Sequence, residues 1–170
     1  MAFFTKDPIG VVEQALKQRG WKYHKPDPLA ILTGVKSRRS HLILVRHDAE
    51  RKTLLFLFAP TDRNDAPLHV HSSRGHSQEQ IGGVSEILAH RNFTMLLGSF
   101  ERDATDGELR YRIAIPYRDT NLSTQQAQWC IDIGIGSLDR MIPKIEDFLS
   151  GKLSLEEALE LGEGRGPMEV

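Results

Sequence analysis

The chain has 170 residues, 39% of them apolar and 26% charged, which suits one soluble domain with a real hydrophobic core. Its formal net charge of −1 offers no overall basic field to a nucleic acid or an anionic membrane. A single cysteine, Cys130, excludes an intramolecular disulfide and any zinc site built from several thiolates.

No apolar run approaches the roughly 18–20 residues that span a bilayer. The opening MAFFTKDPIG lacks the charged-then-apolar order of a signal peptide, so the expectation is a cytoplasmic protein. The first helix is predicted from Asp7-Pro8, where Asp caps and Pro suits the first helical position. Ile9, Val12 and Leu16 follow at helical spacing, and Gly20 supplies the stop. Trp21 to Thr33 reads as extended, with a break at Pro26-Asp27-Pro28. Gly34 to Ser40 reads as a loop whose basic run Lys36-Ser37-Arg38-Arg39 is a solvated turn. Weak nucleic-acid binding through Arg38 and Arg39 would show as a steep salt dependence, and the balanced charge of the chain argues against it.

Residues 41–47 and 53–59 form the next two strands, a hairpin joined by the polar stretch Asp48 to Lys52. Both are apolar on both faces, since Leu42 and Leu44 point opposite to Ile43 and Val45. That predicts cover on each side of the sheet. A polar connection over Pro60 to Gly75 ends in Ser77-Gln-Glu-Gln80, a capping box. Ile81, Val84 and Leu88 mark the apolar stripe of the helix it starts. Gly82 and Gly83 weaken that helix by about 1 kcal/mol each, which suggests a close backbone approach or a frayed turn.

Met95 to Arg102 and Leu109 to Tyr117 predict a third hairpin. Placing Arg102 opposite Leu109 sets Phe100 against Tyr111, Gly98 against Ile113 and Leu96 against Ile115 on the core face. The outer face then carries a Glu101–Arg110 ion pair, followed by Leu97 opposite Ala114 and Met95 opposite Pro116. A one-residue slip would bury Arg110 and Arg112, so the register is specified. Ser123-Thr-Gln-Gln126 is a second capping box. The helix after it carries Ala127, Ile131, Gly134, Leu138, Met141, Ile145 and Phe148 as one stripe, with Trp129 and Ile133 on the opposite side. Pro143 predicts a kink or a join between two segments. Ser154-Leu-Glu-Glu157 caps a short last helix. The organisation is one α+β domain over residues 1–150, in the order α-β-β-β-α-β-β-α with an antiparallel sheet, then a terminal helix and tail over 151–170.

The element order, the stretch LLGSFERDATDGELRYRIAIPY and the helix opening LSTQQAQ resemble the YbjN-like proteins, and more specifically their cyanobacterial uncharacterised branch. The resemblance covers residues 8 to about 150. It implies the fold of the type III secretion chaperones: a small, often dimeric, cytoplasmic module that binds other polypeptides and has no established catalytic centre. The family has no agreed functional residues, so none is carried over.

LHVHSSRGH is the stretch that looks most like site chemistry. His69 and His71 would share a face in a strand, His76 follows after a turn, and Asp65 or Glu79 could add an oxygen. The spacing matches no ligand motif, and histidines in a polar loop usually face solvent, so ordinary loop histidines are the expectation and a metal-binding protein or metal-dependent enzyme using this loop is the alternative. Cys130 lies at the edge of a helical stripe, as an inert core thiol would. No GxSxG, GxxxxGK or GxGxxG motif occurs, and Gly134-Ile-Gly136 suits tight helix packing. Asp103, Asp106 and Glu108 are ordinary residues of a hairpin turn. The expected function is therefore a non-enzymatic protein-binding or chaperone-like module without a cofactor, a homodimer with a further protein partner. Its candidate surfaces are Met95, Leu97, Ala114 and Pro116 on the sheet, and Trp129 with Ile133 on the long helix.

Overall fold

The computed structural model describes residues 7–62, 66–117 and 120–160. Helix α1 (Pro8–Gln18) starts where Asp7 accepts hydrogen bonds from the N–H groups of Ile9 and Gly10, at 3.1 and 3.2 Å. It ends two residues before Gly20, whose φ of 69° turns the chain into the sheet. The strands are β1 (Tyr23–His24), β2 (Ala30–Lys36), β3 (Ser40–Asp48), β4 (Thr53–Pro60), β5 (Ser99–Arg102) and β6 (Leu109–Pro116). They form one antiparallel sheet in the order β1-β2-β3-β4-β6-β5. Helices α2 (Gln78–Thr94), α3 (Thr124–Leu149) and α4 (Leu155–Glu160) complete the expected α+β order. The extended stretch anticipated over Trp21 to Thr33 forms β1 and β2, on either side of the expected break at Pro26-Asp27-Pro28.

Alternation in β3 and β4 sends Ile43, Val45, Leu54, Phe56 and Phe58 into a core that also takes Tyr111 and Ile113 from β6. Each such large side chain contributes roughly 1.5–3 kcal/mol when fully buried. The helical stripes meet this face. Ile9, Val12 and Leu16 of α1 are fully buried, as are Ile131, Leu138 and Ile145 of α3. Gly134 lets α3 settle onto Phe58, since a Cβ there would lie 2.3 Å from the ring. Gly83 plays the same part under Phe148, whereas Gly82 faces open space. Both predicted capping boxes are present, at Ser77/Gln80 and Ser123/Gln126. Pro143 lies inside a single 26-residue helix, so the anticipated join is absent. Burial of Met141, Ile142 and Ile145 around it offsets the missing backbone bond. Helix α4 adds Ala158 to the same core.

The β5–β6 register is the one expected for Ser99↔Arg112, Phe100↔Tyr111, Glu101↔Arg110 and Arg102↔Leu109. Beyond Ser99 the expectation fails. Helix α2 continues to Thr94, and Gly98, at a φ of 76°, bends the chain away from β6. The Tyr111 hydroxyl donates to the Leu97 carbonyl at this bend, so Leu96, Leu97 and Met95 never pair with Ile115, Ala114 and Pro116. Those three β6 residues lie opposite Leu54, Leu55 and Thr53 of β4.

The sheet edges are guarded. The Asn92 side chain donates to the Phe100 carbonyl at 2.9 Å and accepts from the Phe100 N–H at 2.8 Å, engaging the groups an added strand would use. At the opposite edge β1 is only two residues long. Asn92→Ala is expected to cost about 1–2 kcal/mol, the loss of two hydrogen bonds, and to expose the β5 edge. Concentration-dependent aggregation of that variant in light scattering checks the second part. An unchanged particle size at every concentration would show that Asn92 does not guard the edge.

Candidate functional site

The sheet is apolar on both faces, but the described helices pack on only one. On the other, Leu32, Leu42, Leu44, Leu55 and Leu57 stand in adjacent register, Leu32 and Leu57 flanking Leu44, and Leu55 lying opposite Arg46. None of the five belongs to the core cluster or packs against it. Leu32 is 38% exposed, and the other four are half-buried among themselves. The expectation of cover on both sides is thus corrected: among the described residues nothing covers this outer face. A contiguous leucine field rimmed by charge is the surface signature of a binding site.

The rim is mostly basic. Arg46 and Arg112 are exposed, Arg110 is half-buried, and Lys36 stands exposed at the end of β2. Glu101 accepts from the Nε of both Arg110 and Arg112 at 2.7 Å, so one carboxylate faces two guanidiniums. Asp48 is held by Arg51 at 2.8 Å, and the N–H and guanidinium of Arg51 keep its carboxyl below the ordinary range. Four cations therefore face two carboxylates across the outer surface of the strands.

The predicted surface residues divide. Ala114, opposite Leu55, and Pro116, opposite Thr53, are exposed on this outer face. Met95 is half-buried against the core margin, and Leu97 sits in the α2–β5 turn beside Leu96 and Phe93, which are 89% and 91% exposed. Trp129 is 58% exposed on α3, but Ile133 packs on the edge of the core instead of beside it. Helix α1 flanks that region through an Arg19–Asp132 ion pair with both bonds at 2.7 Å and a Gln128–Gln18 bond of 2.8 Å. The five leucines were missing from the expected surface, although their two-faced pattern is visible in the sequence.

The histidines go separate ways. His69 Nδ1 lies 3.1 Å from the Asp106 carbonyl oxygen, His71 Nδ1 lies 2.9 Å from the Ser73 hydroxyl, and His76 Nδ1 lies 3.2 Å from the His71 carbonyl oxygen. His71, itself extended, caps a one-turn 3-10 helix, Ser72–Arg74, and its Nδ1 is engaged there by the Ser73 N–H at 3.3 Å. Asp65 lies outside the described residues, and Glu79 lines a groove against α4. Among the described residues no three His, Cys, Asp or Glu side chains could hold a metal ion. The segment is nonetheless structural. Val70 is fully buried and its N–H donates to the Gly107 carbonyl at 2.8 Å, while the Leu109 N–H donates to the Leu68 carbonyl at 2.9 Å. This knits the connection to the β5–β6 turn.

Residues 8–147 match the family model described as "YbjN: Putative bacterial sensory transduction regulator". The chain belongs to the YbjN family. A solved structure entitled "Crystal structure of YbjN, a putative transcription regulator from E. coli" superposes with a TM-score of 0.56 at 11% identity, over 86% of this chain and 95% of that one. At that identity the likeness concerns the fold alone. No curated protein matches the chain. In this YbjN-family fold Cys130 is buried on the core side of α3, and desolvation pushes its thiol up to about 11, which keeps it protonated and unreactive near neutral pH. No helix among the described residues is long and apolar enough to cross a membrane.

Proposed function

We propose that this YbjN-family chain is a non-enzymatic regulatory module that binds other polypeptides in a chaperone-like manner. The observation that carries the proposal is the uncovered leucine field on the outer face of β2, β3 and β4. Burying a leucine yields roughly 1.5–3 kcal/mol, so five adjacent half-covered ones form a surface with a strong drive to be occupied. The guarded edges make the face, rather than strand addition, the available mode. The expected assembly is a homodimer centred on Trp129, an exposed aromatic of the kind enriched at interfaces.

Two measurements test this. The wild-type protein should slow the aggregation of a reduced, unfolding client such as insulin, and Leu44→Ser/Leu57→Ser should lose that effect while keeping its circular dichroism. Equal activity of the two proteins would remove the outer face as the working surface. Light scattering at micromolar concentration should give a dimer that Trp129→Glu converts to monomer. A wild-type monomer would end the homodimer proposal without touching the first.

A further inference from the structure

The reading of the outer face as a polypeptide-binding surface leaves open what kind of chain it accepts, and the inference below rests on that reading. The charge on the rim narrows the choice. Lys36, Arg46, Arg110 and Arg112 face Asp48 and Glu101, with Asp48 already engaged by Arg51 and Glu101 shared by two arginines. Neither Arg46 nor Lys36 forms an ion pair among the described residues. A second copy laid on this face would bring two net-positive rims together across a drying interface, a juxtaposition that disfavours association. An acidic chain meets no such penalty.

Shape narrows it further. From Leu32 through Leu44 to Leu57 the field crosses three strands, about 10 Å, and from Leu42 to Leu44 or Leu55 to Leu57 it runs about 7 Å along the strand. That is a flat, short platform with cations on its flanks. The apolar stripe of an amphipathic helix, with residues at i, i+3, i+4 and i+7, has matching dimensions over two turns. Seated there it would form the missing third layer, opposite the layer made by α1 and α3. We propose that the outer face binds an amphipathic helical segment of a partner protein, with leucine-type residues on one side and Asp or Glu on both flanks. Arg46 and Arg112 engage the acidic flanks, and Leu44 and Leu57 hold the apolar stripe.

The test uses two synthetic 18-residue helical peptides with identical leucine stripes, one flanked by Glu and one by Lys, titrated by fluorescence anisotropy into the full chain. The Glu peptide should bind at least about tenfold more tightly at low ionic strength, and the gap should narrow at about 0.3 M salt. Arg46→Glu/Arg112→Glu should invert the preference, and Leu57→Ser should weaken the Glu peptide about tenfold or more. Equal binding of both peptides, binding of neither, or a preference that the charge-reversed variant leaves unchanged would overturn the inference. A concentration-dependent dimer abolished by Leu57→Ser, with no peptide binding, would also overturn it by assigning the face to a second copy. A photo-crosslinker placed at residue 57 separates the two levels. Light-dependent protein adducts in cells without peptide preference would leave the polypeptide-binding reading standing and sink the acidic-helix partner, whereas no adducts and no peptide binding would sink both.

Discussion

Gly134→Ala is expected to destabilise the fold by about 2 kcal/mol or more, although the same change at an open helical position stabilises by about 1 kcal/mol. The two terms oppose each other, and geometry decides which wins. A Cβ at position 134 would lie 2.3, 2.4 and 2.5 Å from three carbons of the Phe58 ring. That ring is fully buried, stacked beside Phe56 at a centroid distance of 6.3 Å and tilted against Tyr111 at 6.1 Å, so it has nowhere to turn. Either α3 lifts from β4 along its buried length or Phe58 leaves its rotamer, and both cost more than the backbone gains. Gly82→Ala is the control: the new methyl meets open space, so it should stabilise by about 0.5–1 kcal/mol. Gly83→Ala falls between them, because the half-buried Phe148 ring it meets is freer to swing aside. Urea midpoints at unchanged slope measure all three. Phe58→Leu in the Gly134→Ala background should recover part of the loss, since it removes the ring atoms in conflict. If Gly134→Ala and Gly82→Ala shifted the midpoint in the same direction, the helix-on-strand contact would not be as close as described.

The parts of this fold that could be read from the sequence are those governed by neighbouring residues. Asp7, Ser77 and Ser123 cap because their side chains reach N–H groups two or three residues away, and that reach is written in the local sequence. The register of Phe100 with Tyr111 was legible because slipping it would bury Arg110 and Arg112. Where β5 begins was not legible. It depends on α2 running to Thr94 and on Gly98 taking a positive φ against the Tyr111 hydroxyl, a contact made across 13 residues of chain. Hence the expected strand face does not include Met95 and Leu97, while Ala114 and Pro116, which belong to β6, lie exposed on it. The leucine face failed for a different reason. Alternation in β3 and β4 reports that both sides are apolar, and from that pattern alone an inner layer supplied by the chain cannot be told from a surface kept for a partner. Trp129 was legible on helical geometry, yet Ile133, one turn later, curls onto the core margin.

Asp139→Ala is expected to cost about 2–3 kcal/mol at neutral pH, because it strands the imidazole of His41 in the interior. His41 begins the core-facing row of β3, with its side chain entirely out of solvent. Its Nε2 lies 2.9 Å from Asp139 Oδ1 on α3, and its Nδ1 has no hydrogen-bond partner among the described residues. Without Asp139 neither ring nitrogen is satisfied. The same carboxylate holds the β2–β3 turn through Ser37 and the Arg38 backbone, next to the Arg39–Glu146 pair, so α3 and the hairpin are tied at this point. Burial pushes the Asp139 carboxyl up, but the hydrogen bonds from His41 and Ser37 outweigh it, and the group lies below the ordinary carboxylate range. A carboxylate depressed by folding stabilises the native state above its unfolded value, near 3.9, and that contribution disappears as pH falls through the lower folded value. Asp139→Asn keeps the shape and an acceptor for His41 but not the charge, so it should cost about 1 kcal/mol at pH 7. The gap between wild type and Asp139→Asn should therefore close as pH falls below about 4. Chemical denaturation from pH 7 down to pH 3 measures it. A gap that stayed constant down to pH 3 would mean that the Asp139 charge is not what anchors His41.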